Sequence, residues 1–124
     1  MLTAGLRGHL TPLVIEEDDE KITVMMNPCG SGGRAVIDGS YGPPRNFLKI
    51  KKHPLMTLGK ENFPAYCCHC PFQDLIPIET TGYPIWVTEP SENPGIEPCK
   101  FMLYKDKKSI PDIYYQRFGK VKPS

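Results

Sequence analysis

Apolar and polar positions alternate in two stretches near the start of the chain: Leu13 and Ile15, then Ile22, Val24 and Met26, on either side of the acidic block Glu16-Glu17-Asp18-Asp19-Glu20. A period of two puts every second side chain on one face of a strand, so this region reads as an antiparallel hairpin with a charged turn. Further on, Pro84-Ile85-Trp86-Val87-Thr88 and Lys100-Phe101-Met102-Leu103-Tyr104 concentrate β-branched and aromatic residues. They read as two strands that pair across the loop 89–98. Arg34 to Ile37 reads as a strand resumed after a glycine-rich turn, and residues 38–44 as a loop. Residues 46–52 and 55–58 are short apolar-basic segments of no clear period, parted by Pro54. Near the C-terminus Ser109 as a cap, Pro111 and Asp112 in the first turn and Gly119 as a stop predict a short helix. Its packing face would carry Ile113, Tyr114, Arg117 and Phe118. Leu2, Leu6 and Leu10 recur every four residues but are interrupted by Gly5 and Gly8, the pattern of a weak helix. Residues 1–10 therefore read as an N-terminal extension, possible remnant of a longer region, ahead of one domain over 11–124.

Composition sharpens this picture. Gly 11 and Pro 14 together take a fifth of the 124 positions, a density that a helical bundle does not tolerate. The expected fold is mainly β, a small α+β domain of short antiparallel strands and hairpins with one short C-terminal helix. A hydrophobic share of 40% and a charged share of 23% are those of a globular chain. No apolar run approaches the ~20 residues that span a bilayer, and the first residues lack the order of a signal peptide. A cytoplasmic protein without membrane association is the expectation. The net charge of +1 provides no overall field for nucleic acid. The acidic block and the C-terminal stretch, with seven Lys or Arg over residues 99–124, read as two solvated regions.

The cysteines carry the chemistry. Five is an odd number, and without a secretion signal reduced thiols are expected, which makes clustered cysteines candidate ligands. Tyr66-Cys67-Cys68-His69-Cys70-Pro71 contains the Cys-x-x-Cys spacing at Cys67 and Cys70, which in a knuckle turn aims two thiolates at one ion. Cys29 and Cys99, each preceded by a proline at the end or start of a predicted strand, supply two more. The expected site is a zinc-knuckle-like centre in which Cys29, Cys67, Cys70 and Cys99 bind Zn2+, with His69 or Cys68 as an alternate ligand. The gaps of 37 and 28 intervening residues mean that only folding can assemble it. Iron or an iron–sulfur cluster is the alternative metal. A Cys67–Cys70 redox pair is disfavoured because Pro71 and Pro77 argue against a long following helix. Cys68 best suits simple core packing, and His9 and His53 belong to no ligand pair.

Gly30-Ser31-Gly32-Gly33-Arg34 could turn backbone N–H groups and the Arg34 guanidinium toward a small anionic ligand. The plainer reading is that the glycines let the chain bend around Cys29. Two functions follow. The first is a mainly structural metal site in an interaction module or a part of a larger protein, with a protein partner or a second copy docked on exposed strands. The second is a hydrolase- or lyase-type enzyme with an open zinc site and the Gly30–Arg34 turn as its anion subsite. Asp38, Glu61 and Asp74 are the carboxylates available as a base, none of them marked out by spacing.

Overall fold

The computed structural model describes residues 12–26 and 28–124. The readings made for residues 1–10, including His9, lie outside the described residues.

Strand β1 (Leu13–Glu17) and β2 (Lys21–Met26) form the expected hairpin, in the register Leu13 to Met26 and Glu17 to Ile22. Asp18 closes its turn by accepting backbone hydrogen bonds from Glu20 at 2.8 Å and Lys21 at 2.9 Å. The chain then makes a short helix α1 (Gly32–Ile37). After a two-residue strand β3 (Lys49–Ile50) and its partner β4 (Phe63–Pro64), a 3-10 turn (Ala65–Cys68) leads into α2 (His69–Thr81). Strands β5 (Val87–Glu89) and β6 (Cys99–Tyr104) pair antiparallel across the loop 90–98, the expected pairing, but Pro84, Ile85 and Trp86 lie outside the strand. A second 3-10 turn (Lys107–Ser109) and α3 (Ile113–Gln116) end the described structure.

The larger sheet has the order β1-β2-β6-β5, antiparallel throughout, and β3 with β4 makes a second, two-stranded sheet. This is a small mixed α/β domain. The expectation of a mainly β chain with a single C-terminal helix is corrected by three helices among the described residues. Residues 32–37 are helical, not extended. Arg34 donates its backbone N–H to the Cys29 carbonyl at 2.9 Å and Ala35 to that of Ser31 at 3.0 Å, so the glycine turn winds directly into a helix.

The thirteen residues of α2 overturn the argument from proline. Pro71 lies in the first turn, where its missing N–H has no intrahelical partner in any case. Pro77 does remove one interior bond. The helix survives because Pro71, Asp74, Leu75 and Ile78, at helical spacing, are all buried on one face. Thr80 and Thr81 fold their hydroxyls back onto the Ile76 and Pro77 carbonyls at 3.0 and 2.8 Å, and the Ile78 carbonyl accepts from Gly82 N at 2.9 Å. Gly82, at φ 87°, then caps it in the left-handed conformation.

The two faces of β6 serve different clusters. Met102 joins Val87, Leu75, Ile78, Tyr114, Tyr115 and Phe118 beneath α2 and α3, whereas Cys99 and Phe101 pack with Val24 and Met26 of β2. A third cluster, Phe63, Cys67 and Cys68, lies around the turn before α2. Ser109 falls in the second 3-10 turn, which Asp106 caps by accepting from Lys108 N at 2.9 Å; Asp112 holds the N-cap position of α3. Among the described residues no helix is long and apolar enough to cross a membrane.

Candidate metal centre

Sheet register begins the assembly of the site. Met26 at the end of β2 is paired with Cys99 at the start of β6, so the turn that follows β2 carries Cys29 to the same end of the sheet. Cys67 arrives on the 3-10 turn before α2 and Cys70 on the first turn of α2, and α2 is tied to β5 through a buried polar clamp. Asp74, one turn after Cys70 and fully buried, accepts hydrogen bonds from Thr88 N and Thr88 Oγ1, both at 2.7 Å. Arg117 from the C-terminal segment donates to the Asp74 carboxylate at 2.5 Å and to the Thr88 carbonyl at 2.8 Å. Thr88 is paired with Phe101 on β6, two residues from Cys99. The clamp thus fixes the start of α2 against the strand edge that bears Cys99.

Cys29, Cys67, Cys70 and Cys99 line one enclosed cavity of about 10 Å³, together with His69 and apolar walls from Phe63, Pro90, Pro94 and Phe101. Three segments far apart in sequence therefore bring four of the five cysteines to a single point. All five are free thiols. The structure holds no ready-made ligand geometry: among the described residues no three His, Cys, Asp or Glu side chains are arranged so as to grip a metal ion. The four thiols surround a common void without being drawn onto it.

Their electrostatics report the same proximity. Burial pushes the Cys67 thiol up to about 12, and the Cys99, Cys29 and Cys68 sulfurs add to the rise. Burial likewise raises Cys70, with contributions from Cys67, Cys29 and Cys99, and raises Cys99 with a contribution from Cys29. Negative charge on any one sulfur is opposed by the others unless a cation joins them. Two polar groups already face the sulfurs: Ser91 N donates to Cys99 Sγ at 3.3 Å, and the Ser31 hydroxyl lies 3.3 Å from Cys29 Sγ.

His69 stands at the rim. Its Nδ1–H donates to the Tyr66 carbonyl at 2.5 Å, and its Nε2 lies 3.7 Å from Cys70 Sγ. Cys68 lies apart: it is buried against Phe63, its sulfur 3.9 Å from the Pro64 carbonyl, and does not line the cavity. His53 is remote as well, its Nδ1 accepting from Leu55 N and Met56 N within its own turn. Asp38 and Glu61 are exposed, and neither they nor Asp74 line the cavity.

The glycine turn has a packing role that the sequence does not disclose. A Cβ on Gly32 would stand 2.3 Å from Cys67 Sγ, and one on Gly33 3.2 Å from Cys29 Cβ and 3.3 Å from Gly95 N. Gly95 itself has φ +90° and no room for a side chain against the Gly33 carbonyl. Only glycines let α1 and the loop 90–98 close around the sulfurs. Arg34 is half-buried on α1 and does not line the cavity. Comparison with known proteins gives no match, whether to a family model, a curated protein or a solved structure.

Proposed function

We propose that this chain is a zinc-binding domain with a mainly structural site of four cysteines, Cys29, Cys67, Cys70 and Cys99, acting as an interaction module or as part of a larger protein. The observation that carries the reading is the cavity that these four share while Cys68 turns away from it. Zinc suits the donor set, because thiolates are its favoured ligands in closed tetrahedral sites, with Zn–S near 2.3 Å. Binding would replace thiol protons with one divalent cation, against the burial that raises Cys67, Cys70 and Cys99. The ion would tie the start of α2 to the end of the sheet where β2 and β6 are already paired at Met26 and Cys99.

The structural reading is favoured over an open catalytic zinc by what surrounds the cavity. His69 is available as an alternate ligand, yet among the described residues the polar groups bonded to these sulfurs are a backbone amide, a serine hydroxyl and that imidazole, and the buried carboxylate Asp74 is engaged by Arg117 and Thr88. A water-activating site needs a base within reach.

Elemental analysis by mass spectrometry, on protein purified without added metal, is the test. One zinc per chain, lost in Cys99→Ala but kept in Cys68→Ala, is the expected result. Protein that folds with no bound metal and takes up none when zinc is supplied would overturn the reading. Dependence of cobalt spectra on added anions would transfer it to the open-site alternative.

A further inference from the structure

Beside the sulfur cavity, on the outer side of the Gly30-Ser31 turn, lies an open cleft of about 380 Å³ lined by Gly30, Ser31, Ala35, Tyr41, Phe47 and Tyr66. Its floor is made of small residues and its walls of three aromatic rings. Phe47 and Tyr66 are 51% and 58% exposed, a large unburied area for side chains of this type. The rings are held by neighbours and not by the core. Tyr41 and Phe47 meet edge to face with centroids 5.8 Å apart, Tyr66 meets His69 at 5.0 Å, and the Tyr41 hydroxyl accepts from Tyr66 N at 3.4 Å. Each ring is therefore braced at its edge while part of its surface faces solvent.

The segment that carries Tyr41 and Phe47 is basic, although the exposed Asp38 precedes it. From Gly39 to Lys60 the chain holds Arg45, Lys49, Lys51, Lys52 and Lys60 and no Asp or Glu. Arg45, Lys49, Lys51 and Lys52 are exposed, and Lys49 Nζ lies 6.0 Å from the Tyr41 ring centre. Lys49, Lys51 and Lys52 make no ion pair among the described residues. A net charge near zero for the whole chain conceals this local excess, because the acidic block is on the β1–β2 turn.

We infer that the Tyr41–Phe47–Tyr66 cleft, with Lys49 beside it and Lys51 and Lys52 next in the chain, binds single-stranded nucleic acid, with bases stacked on the rings and phosphates on these lysines. Exposed aromatic platforms bordered by unpaired cations are the two components that sequence-tolerant single-strand binding requires. An acidic peptide would satisfy the lysines but supplies no planar group for the rings. A base does both, since each has a flat π-face and travels with a phosphate. The inference is independent of the metal reading, since the lining of the cleft includes none of the four cysteines.

The test is fluorescence anisotropy with a labelled 15-nucleotide oligothymidine, a duplex of equal length and an oligoglutamate peptide, on the full chain in zinc-containing buffer, with metal content and circular dichroism recorded for every variant. Expected are binding of the single strand in preference to duplex and peptide, and an affinity that falls with salt with a log–log slope of about −2 for three phosphate contacts. Phe47→Ala should weaken binding roughly 5- to 150-fold, the range for loss of one stacked base, and Lys49→Glu with Lys51→Glu should abolish it, neither altering metal content. Tyr66→Leu gives a second reading of stacking if Phe47→Ala misfolds. Preference for the peptide, equal binding of duplex, no binding, or affinity unchanged by the aromatic variants would each overturn the inference. Metal loss without loss of oligonucleotide binding would fault the zinc site alone.

Discussion

Gly32 faces Cys67 so closely that a methyl group on the glycine would lie 2.3 Å from the cysteine sulfur. No sulfur contact is tolerated at that distance, so substitution must displace either α1 or the start of α2. Gly32→Ala should cost on the order of 1–3 kcal/mol through overpacking and should lower zinc content sharply. Gly42→Ala, where the nearest atom to a new Cβ is the Gly39 carbonyl at 3.7 Å, is the control and should leave both unchanged. Chemical denaturation together with metal analysis reads the pair.

The five cysteines should separate into two groups. Serine at Cys29, Cys67, Cys70 or Cys99 should reduce zinc affinity and lower the melting temperature in zinc-containing buffer. Cys68→Ala should cost stability as a core residue but keep the metal. Chelation should destabilise wild type by several kcal/mol, since a ligand present at a thousandfold excess over its Kd contributes about 4 kcal/mol. Uptake of zinc by the metal-free protein at pH 7 should release close to one proton from each of Cys67, Cys70 and Cys99, because burial raises these three thiols, Cys67 up to about 12.

Asp74 and Arg117 form a buried pair whose members cannot be removed singly. Arg117→Met leaves a fully buried carboxylate with only Thr88 as donor and should destabilise by roughly 3–5 kcal/mol. Asp74→Asn made together with it should recover part of that loss. Burial, opposed by the bonds from Thr88 and Arg117, lifts the Asp74 carboxyl from its ordinary 3.8 to about 6. The folded state then holds this proton more tightly than the unfolded chain. Its contribution is present below about pH 4 and is lost as pH rises through 6. The stability of wild type relative to Asp74→Asn should therefore fall by about 3 kcal/mol across that window and stay level above it. Urea denaturation at a series of pH values measures this.

Tyr115 is fully buried, and its hydroxyl has no hydrogen-bond partner among the described residues. An unsatisfied buried hydroxyl costs free energy that phenylalanine does not. Tyr115→Phe should leave stability unchanged or raise it by about 1 kcal/mol, as judged by thermal denaturation.

The hairpin from Leu13 to Met26 and the pairing of β5 with β6 were legible because alternation and β-branched residues act locally, and each strand lies beside its neighbour in sequence. The helix at 69–81 was not. Two prolines suggested a break, yet Pro71, Asp74, Leu75 and Ile78 already had helical spacing, and a buried aspartate disguised the apolar face. Such a residue reads as surface until its partners, Thr88 and Arg117, are known. The glycine run misled in the opposite direction. Gly32 and Gly33 suggested a turn before a strand, whereas they are the contact surface of a helix packed on sulfur and on Gly95.

Cysteine count and the Cys67–Cys70 spacing point to the candidate ligands, and the register of Met26 with Cys99 explains why Cys29 reaches them. That register is a property of long-range pairing that local patterning does not encode. Ser91 and Ser31, whose polar groups face the sulfurs, had no mark in the sequence. The exposed rings of Tyr41, Phe47 and Tyr66 were equally hidden, because an aromatic residue in a proline-rich stretch gives no sign of whether it is buried.

The most direct measurement is X-ray absorption at the zinc edge of the loaded protein, which counts ligands by type and distance. Four sulfurs at about 2.3 Å, falling to three in Cys29→Ser and again in Cys99→Ser, is the predicted result. A shell dominated by nitrogen or oxygen, or one unaltered by both substitutions, would contradict the account.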